Sequence, residues 1–293
     1  MSDSTAGLRR KIDTAGDLQS VVRTMKAVAA SSVGQYEKSV LALADYYRTV
    51  ELGLAACIHG HETPALPVEQ DQQTDIRVIV FGSDQGLVGQ FNDVIADYAI
   101  NTLGSLPGKA QVWAIGERVQ ERLADAGLPV VGQFASPNSV QAITALVGQI
   151  QIESEALRAS GDNPSVYVFH NRPQPGALFE PVSQRLLPLD AQWQAGLADI
   201  PWPTKNLPEV LGSSDDTLRA LIREYLFISL FRACAESLAS ENASRLAAME
   251  RADKNIEETL DDLQGAFHRL RQGSIDEELF DVVSGFEALS KRA

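Results

Sequence analysis

Few side chains in this sequence stand at spacings that could do chemistry. His59-Gly60-His61 offers two imidazoles without further ligands at helical spacing, so a loop closing a helix explains them better than a metal does. Gly82-Ser83-Asp84-Gln85-Gly86-Leu87-Val88-Gly89 is glycine-rich, but it matches neither G-x-G-x-x-G nor G-x-x-x-x-G-K-[ST]. Its glycines fit a tight strand-to-helix turn. Gly104-Ser105-Leu106-Pro107-Gly108-Lys109-Ala110 imitates a phosphate loop at the wrong length, with alanine where a magnesium-binding hydroxyl belongs. His170 and His268 have no partner legible from the sequence. The paired acids Asp215-Asp216, Glu257-Glu258, Asp261-Asp262 and Asp276-Glu277-Glu278 fall on one long helix, where charge runs form a solvated face. General acid–base work needs a water-excluding pocket that a lone helix cannot build. The expectation is a chain with no catalytic residues, no metal and no cofactor of its own.

The elements that position these residues follow from proline. All 13 prolines lie between Pro64 and Pro208, leaving residues 1–63 and 209–293 free of them. Proline in a helix interior costs about 3 kcal/mol, so the partition predicts a long helix at each terminus. The C-terminal segment carries Leu246, Met249, Ile256, Leu260, Leu263, Phe267 and Leu270. The last five follow the alternating three- and four-residue spacing of a coiled-coil seam, and Asp253 interrupts the seam after Met249. A helix of about 78 residues would run on the order of 115 Å, longer than any core of this chain, so it needs a partner helix. The N-terminal segment supplies one, with Leu8, Ile12, Leu18, Val21, Val22, Met25, Val28 and Ala29 at helical spacing. That first helix should end near Cys57–Gly60, and the second should start near Ser213–Asp216, where serine and aspartate are good caps. Both ends adjoin the same inserted region, so the helices should be antiparallel, with paired residue numbers summing to about 271. The last ~25 residues would then extend past the N-terminus as a single helix of roughly 38 Å.

Between the helices, apolar runs alternate with helical patterns. Strands are predicted at 75–81, 110–115, 129–134, 165–170 and about 182–189, with helices at 89–104, 116–126 and 138–159. Residues 61–75 read as a linker and 191–212 as a proline-rich return. The fold class is α/β. A long antiparallel two-helix coiled coil is formed by the N- and C-terminal segments (1–60 and 213–293), and a mostly parallel, Rossmann-like α/β domain with linkers (61–212) is inserted between them.

Composition narrows the partners. The net charge of −14 repels phosphate backbones and anionic membrane surfaces, which argues against nucleic acid and against direct membrane insertion. No run of 18 apolar residues occurs; the nearest, residues 221–234, is broken by Arg223, Glu224 and Arg232. Two cysteines, Cys57 and Cys234, are too few for a disulfide framework and read as buried thiols in a reducing compartment. The start of the chain lacks the apolar core of a signal peptide, so a cytoplasmic location is expected.

Three blocks carry a family resemblance. They are Leu8-Arg9-Arg10-Lys11-Ile12 with Thr24-Met25-Lys26-Ala27-Val28-Ala29-Ala30; Glu236-Ser237-Leu238-Ala239-Ser240-Glu241 through Arg245 to Met249; and Arg271-Gln272 through Ile275, Glu278-Leu279 and Val282-Val283-Ser284-Gly285 to Ala288. With the turn Ser83-Asp84-Gln85-Gly86-Leu87, they resemble the gamma subunit of the F-type ATP synthases at matching separations along the whole chain. The resemblance departs at Asp276, where the family carries a hydroxyl, and at Gln85, where it favours arginine. It departs also at residues 31–37, which lack the usual basic run, and at 202–216, where the usual foot sequence is not recognisable. These departures suggest a diverged paralogue of an alternative ATP synthase.

The resemblance implies a central rotary shaft that couples rotation of a proton- or sodium-driven membrane c-ring to ATP synthesis or hydrolysis in catalytic beta subunits. It would be a non-catalytic subunit, peripheral on the cytoplasmic face of the inner (plasma) membrane. Implied partners are the alpha and beta subunits of the ring, an epsilon subunit and the c-ring. By position, Met25, Lys26, Arg245, Gln272, Asp276 and Glu278 match rotor–stator contacts, and Val282, Val283, Phe286 and Leu289 match an apolar bearing tip. Two other readings stand beside it. A coiled-coil adaptor with an α/β head would bind partners through its seam, and a small-molecule enzyme built on the sheet would bind nucleotide as an isolated chain.

Overall fold

The computed structural model describes residues 4–59, 75–158, 164–189, 191–206, 208 and 213–290; the side chains of 59, 155–158, 191, 192, 198, 214 and 285–290 are outside the description. The order is α1 (Thr5–His59), β1 (Ile76–Phe81), α2 (Phe91–Gly104), β2 (Ala110–Ile115), α3 (Glu117–Asp125), β3 (Val130–Phe134), α4 (Val140–Arg158), β4 (Ser165–Gln174), β5 (Ala177–Leu187), α5 (Ala191–Ala198) and α6 (Ser214–Ser290). The chain forms two compact units, one of Ala29–Arg245 and one of Met1–Val28 with Leu246–Ala293.

The larger unit is built on a five-stranded sheet ordered β3-β2-β1-β4-β5. Its first four strands are parallel, and β5 runs antiparallel to β4. β1, apolar except at Arg77, is buried on both faces, as a central parallel strand requires. On one face Val78, Val80, Val112 and Ala114 pack against α2 and α3. On the other, Ile79, Phe81, Trp113 and Ile115 meet α4 and a stretch of α6 that includes Leu230, Phe231, Cys234 and Leu238, with Tyr36 of α1. A third cluster joins Val50 and Leu54 of α1 to Leu197 of α5 and Tyr225 of α6.

Two differences from the sequence expectation concern the end of the sheet. The strand predicted at 165–170 continues to Gln174 and turns at Pro175-Gly176 into β5, which begins at Ala177 rather than near 182. Gly176 has φ +84°, and proline before a positive-φ glycine builds a tight reversal. Pro173 and Pro181 argue against strand, but both lie in a hairpin at the sheet edge, where missing donors are tolerated. Helix α5 lies inside what reads as an irregular return.

Within the larger unit α1 and α6 are antiparallel: the Tyr46 hydroxyl donates to Glu224 at 2.6 Å, and Gly53 faces Leu221. Within the smaller unit they are antiparallel too: Arg23 pairs with Asp253 at 3.1 Å, and Lys26 lies 3.8 Å from Glu250. The register is within a few residues of the expected one. Asp253, the interruption in the α6 seam, is the acceptor for Arg23.

The apolar face of α1 needs correction. Leu18, Val21 and Val28 are each more than half exposed. Leu8, Val22, Ala29, Tyr36, Val50 and Cys57 are buried on one heptad register, and Leu54 and Ala55 are buried off it, where α1 meets α5 and α6. A two-helix pair covers only a narrow seam, so the wider stripe read from the sequence leaves its flanks in solvent. On α6 the expected seam residues are buried or half-buried from Leu246 to Leu270, and residues 271–284 are all exposed.

Candidate functional site

Every α6 residue from 233 to 242 is buried. A helix buried all round must be mostly apolar or have each polar group matched. Ala233, Cys234, Ala235 and Ala239 let the neighbouring backbones close in, while Glu236, Ser240, Glu241 and Asn242 find partners. The Glu236 carboxylate lies 2.8 Å from His170 Nε2 of β4 and 2.7 Å from Arg232 Nε. Burial opposes its ionisation, but the hydrogen bonds from His170 and Arg232 outweigh it and hold its pKa below the ordinary carboxylate value. An ionised carboxylate only accepts, so His170 donates from Nε2. The histidine for which the sequence offered no partner is thus bonded to a glutamate 66 residues away.

The same stretch fills the place where an open α/β sheet usually holds a ligand. That crevice lies beyond the strand ends at the β1/β4 switch point. Asn171 closes it by donating from Nδ2 to the Phe91 carbonyl, while the Ser240 hydroxyl of α6 donates to the Asn171 carbonyl at 3.1 Å. The turn after β1 is latched beside it. Asn92 Oδ1 accepts from the Ser83 amide, and the Asp84 carboxylate accepts from the amides of Glu117 and Ser136. A Cβ on Gly82 would come within 2.3 Å of Val119, so glycine is required there for close strand–helix packing. The turn holds α3 and the loop after β3, and the crevice seats a helix.

Buried Glu241 and half-buried Arg245 form a second pair one turn apart on α6, at 2.7 Å. Burial pushes the Glu241 pKa up, Arg245 pulls it down, and Asp84 adds to the rise. Arg245, matched by position to a rotor–stator contact, is therefore already engaged within its own helix. The other matched residues lie in the smaller unit. Met25 and Lys26 are half-buried on α1, whereas Gln272, Asp276 and Glu278 are exposed on α6. Val282 and Val283 are exposed near the end of α6 with Ile275, Leu279 and Phe280, an apolar cluster in solvent. Phe286 and Leu289 lie in α6, but their side chains are outside the description, as are His59 and all of Gly60 and His61. The structure thus gathers Gln272 to Val283 on one exposed helix end, and places Met25, Lys26 and Arg245 away from it in sequence on both helices.

Sequence reasoning missed the His170–Glu236–Arg232 cluster and the Asn171–Ser240 bond. A signal was present: Glu236 and Glu241 interrupt an otherwise small and apolar helical run, and an acid inside such a run implies a buried partner.

The fold and site define an α/β domain borne on two long antiparallel helices, with the longer helix seated at the switch point of the sheet. The model of the ATP synthase family, described as "ATP synthase", matches residues 4–289. The chain belongs to that family, as a gamma subunit of the F-type ATP synthases. It is similar to the ATP synthase gamma chain of Ralstonia nicotianae, 28% identical over 295 residues covering 97% of this chain and 99% of the relative. The gamma chain of Dechloromonas aromatica is 26% identical over 288 residues, covering 96% and 98%. Among solved structures, a rotor chain of the Euglena gracilis mitochondrial ATP synthase superposes with a TM-score of 0.60 at 15% identity, covering 92% of this chain and 98% of that one. A chain from the central stalk and c-ring of the Tetrahymena thermophila enzyme gives 0.53 at 19%, covering 79% and 99%. Membership makes the chain part of a membrane-associated complex, and among the described residues no helix is long and apolar enough to cross a membrane.

Proposed function

We propose that this chain is the central shaft of a rotary ATP synthase, with the exposed end of α6 enclosed by a ring of alpha and beta subunits. The observation that carries the reading is the uninterrupted 77-residue α6, whose residues 271–284 are exposed on every side after a seam that runs to Leu270. An apolar cluster at the end of a single helix needs a surrounding partner. A ring supplies one: Val282, Val283, Phe286 and Leu289 form the bearing tip. Gln272, Asp276 and Glu278 contact the ring with Met25 and Lys26, and Arg245 joins them by exchanging Glu241 for a ring carboxylate. At the other end an epsilon subunit and the c-ring attach, on the cytoplasmic face of the inner (plasma) membrane. The three segments 1–60, 61–212 and 213–293 serve as first shaft helix, head and second shaft helix.

The coupling is physical rather than chemical. An asymmetric rod contacts each catalytic site of a near-symmetric ring differently, so each orientation favours a different set of site conformations, and the sites in turn bias the rod. Co-expression with alpha- and beta-type subunits from the same organism tests this. A complex that contains this chain and needs it for full ATP hydrolysis is expected; subunits that assemble and hydrolyse ATP equally well without it would overturn the reading.

A further inference from the structure

Between α4 and α6, near the N-terminal edge of the sheet, lies a cavity of about 310 Å³. Its floor is Val166, Leu186, Leu226 and Leu230, left uncovered where the two helices diverge on the same face. Gln151 of α4 bridges the gap by donating from Nε2 to the Arg223 carbonyl. Two exposed guanidinium groups, those of Arg219 and Arg223, line the rim, Arg77 lies buried inside with its Nη1 donating to the Ser154 carbonyl, and none of the described lining residues is acidic. Arg219 and Arg223 are one turn apart on α6 and have no ion-pair partner among the described residues. Like charges at that spacing repel, and an anion between them would reverse the repulsion. Arg77 adds a buried cation beside Trp113.

From this layout, apolar floor and cationic rim, we infer that the cavity is a binding site for a single-chain amphiphilic anion, an alkyl carboxylate. Its tail lies on Leu226 and Leu230 and its head group is held by Arg219 and Arg223, whose forked donors suit a carboxylate. The volume sits at the lower end of the ~300–1,000 Å³ range of small-molecule sites, which selects one alkyl chain over a two-chain lipid. Because α6 and the sheet line it together, occupancy raises the melting temperature of the head. The inference does not depend on the rotary role.

Calorimetric titration of the full chain with decanoate, kept below its micelle concentration, tests it against decanol, which has the same tail and no charge. Decanoate is expected to bind at least tenfold more tightly than decanol. The double variant Arg219→Gln/Arg223→Gln should lose at least tenfold toward decanoate and remain within twofold toward decanol. Leu226→Trp, which fills the floor, should abolish binding of both; circular dichroism checks its fold, and the exposed arginine pair carries the test if it unfolds. Equal binding of the two ligands, unchanged binding by the arginine variant, or no heat with decanoate would overturn the inference. Binding to phosphatidylglycerol vesicles without binding of decanoate would overturn it too, by assigning the arginines to a lipid surface.

Discussion

Replacing Glu236 with alanine removes the group that ties α6 to β4, and the structure sets the size of the effect. His170 is buried and loses the acceptor of its Nε2 hydrogen, a loss of about 1–3 kcal/mol for an unsatisfied buried donor. The side chain of Arg232 is 46% exposed, so solvent screens its bond and its loss adds less than ~1 kcal/mol. The sum is about 1–4 kcal/mol, or roughly 2–16 °C in melting temperature for a unit of this size. Urea unfolding of the full chain, followed by tryptophan fluorescence, reads it. The variant His170→Ala and the double variant complete a cycle, in which the losses should be non-additive by at least ~1 kcal/mol. The pH dependence carries a sign. Because the folded-state pKa of Glu236 is depressed, its contribution is present above the ordinary carboxylate pKa of about 4.3 and is lost as pH falls through the folded value. Glu236→Ala should therefore flatten the acid limb of the stability profile. A loss below ~1 kcal/mol, additive losses, or an unchanged acid limb would refute the reasoning.

Gly82→Ala should destabilise by about 1–3 kcal/mol or more through its 2.3 Å approach to Val119, while Gly86→Ala, with nothing within 4 Å, should change little; thermal unfolding of both compares them. Asp253→Ala should cost less than ~1 kcal/mol, because its partner Arg23 is exposed, and a loss above 2 would show that the pair supports the seam more than its exposure allows. Maleimide labelling of native chain at pH 7.5 should be slow and should accelerate on unfolding, since both cysteines are buried and burial pushes both thiols up.

Much of the architecture was legible because it rests on local signals. Proline confined to residues 64–208 marks both long helices, and the short, mostly apolar run of residues 76–81, ending at a glycine, reads as a buried strand. The spacing from Ile256 to Leu270 gives the pairing face of α6 directly. What was not legible depends on contacts distant in sequence. Leu18, Val21 and Val28 look like core at helical spacing, and only the narrowness of a two-helix seam leaves them in solvent. His170 has no neighbour in the sequence that reveals Glu236, and Ser240 gives no sign that it closes the crevice at the sheet's switch point. Arg245 carried a positional match, yet its ion pair with Glu241 follows from their one-turn spacing on α6 and could have been read from it.

Rotation itself is the most direct test. A complex of this chain with alpha- and beta-type subunits is fixed to glass through the ring, and a bead is attached to Gln174→Cys, an exposed position beside the β4–β5 turn. The native cysteines of this chain are buried, so labelling it before assembly directs the label to the new thiol. With ATP, the bead should turn continuously in one direction at a rate that tracks hydrolysis. A bead that stays still while the same complexes hydrolyse ATP at full rate would contradict the shaft.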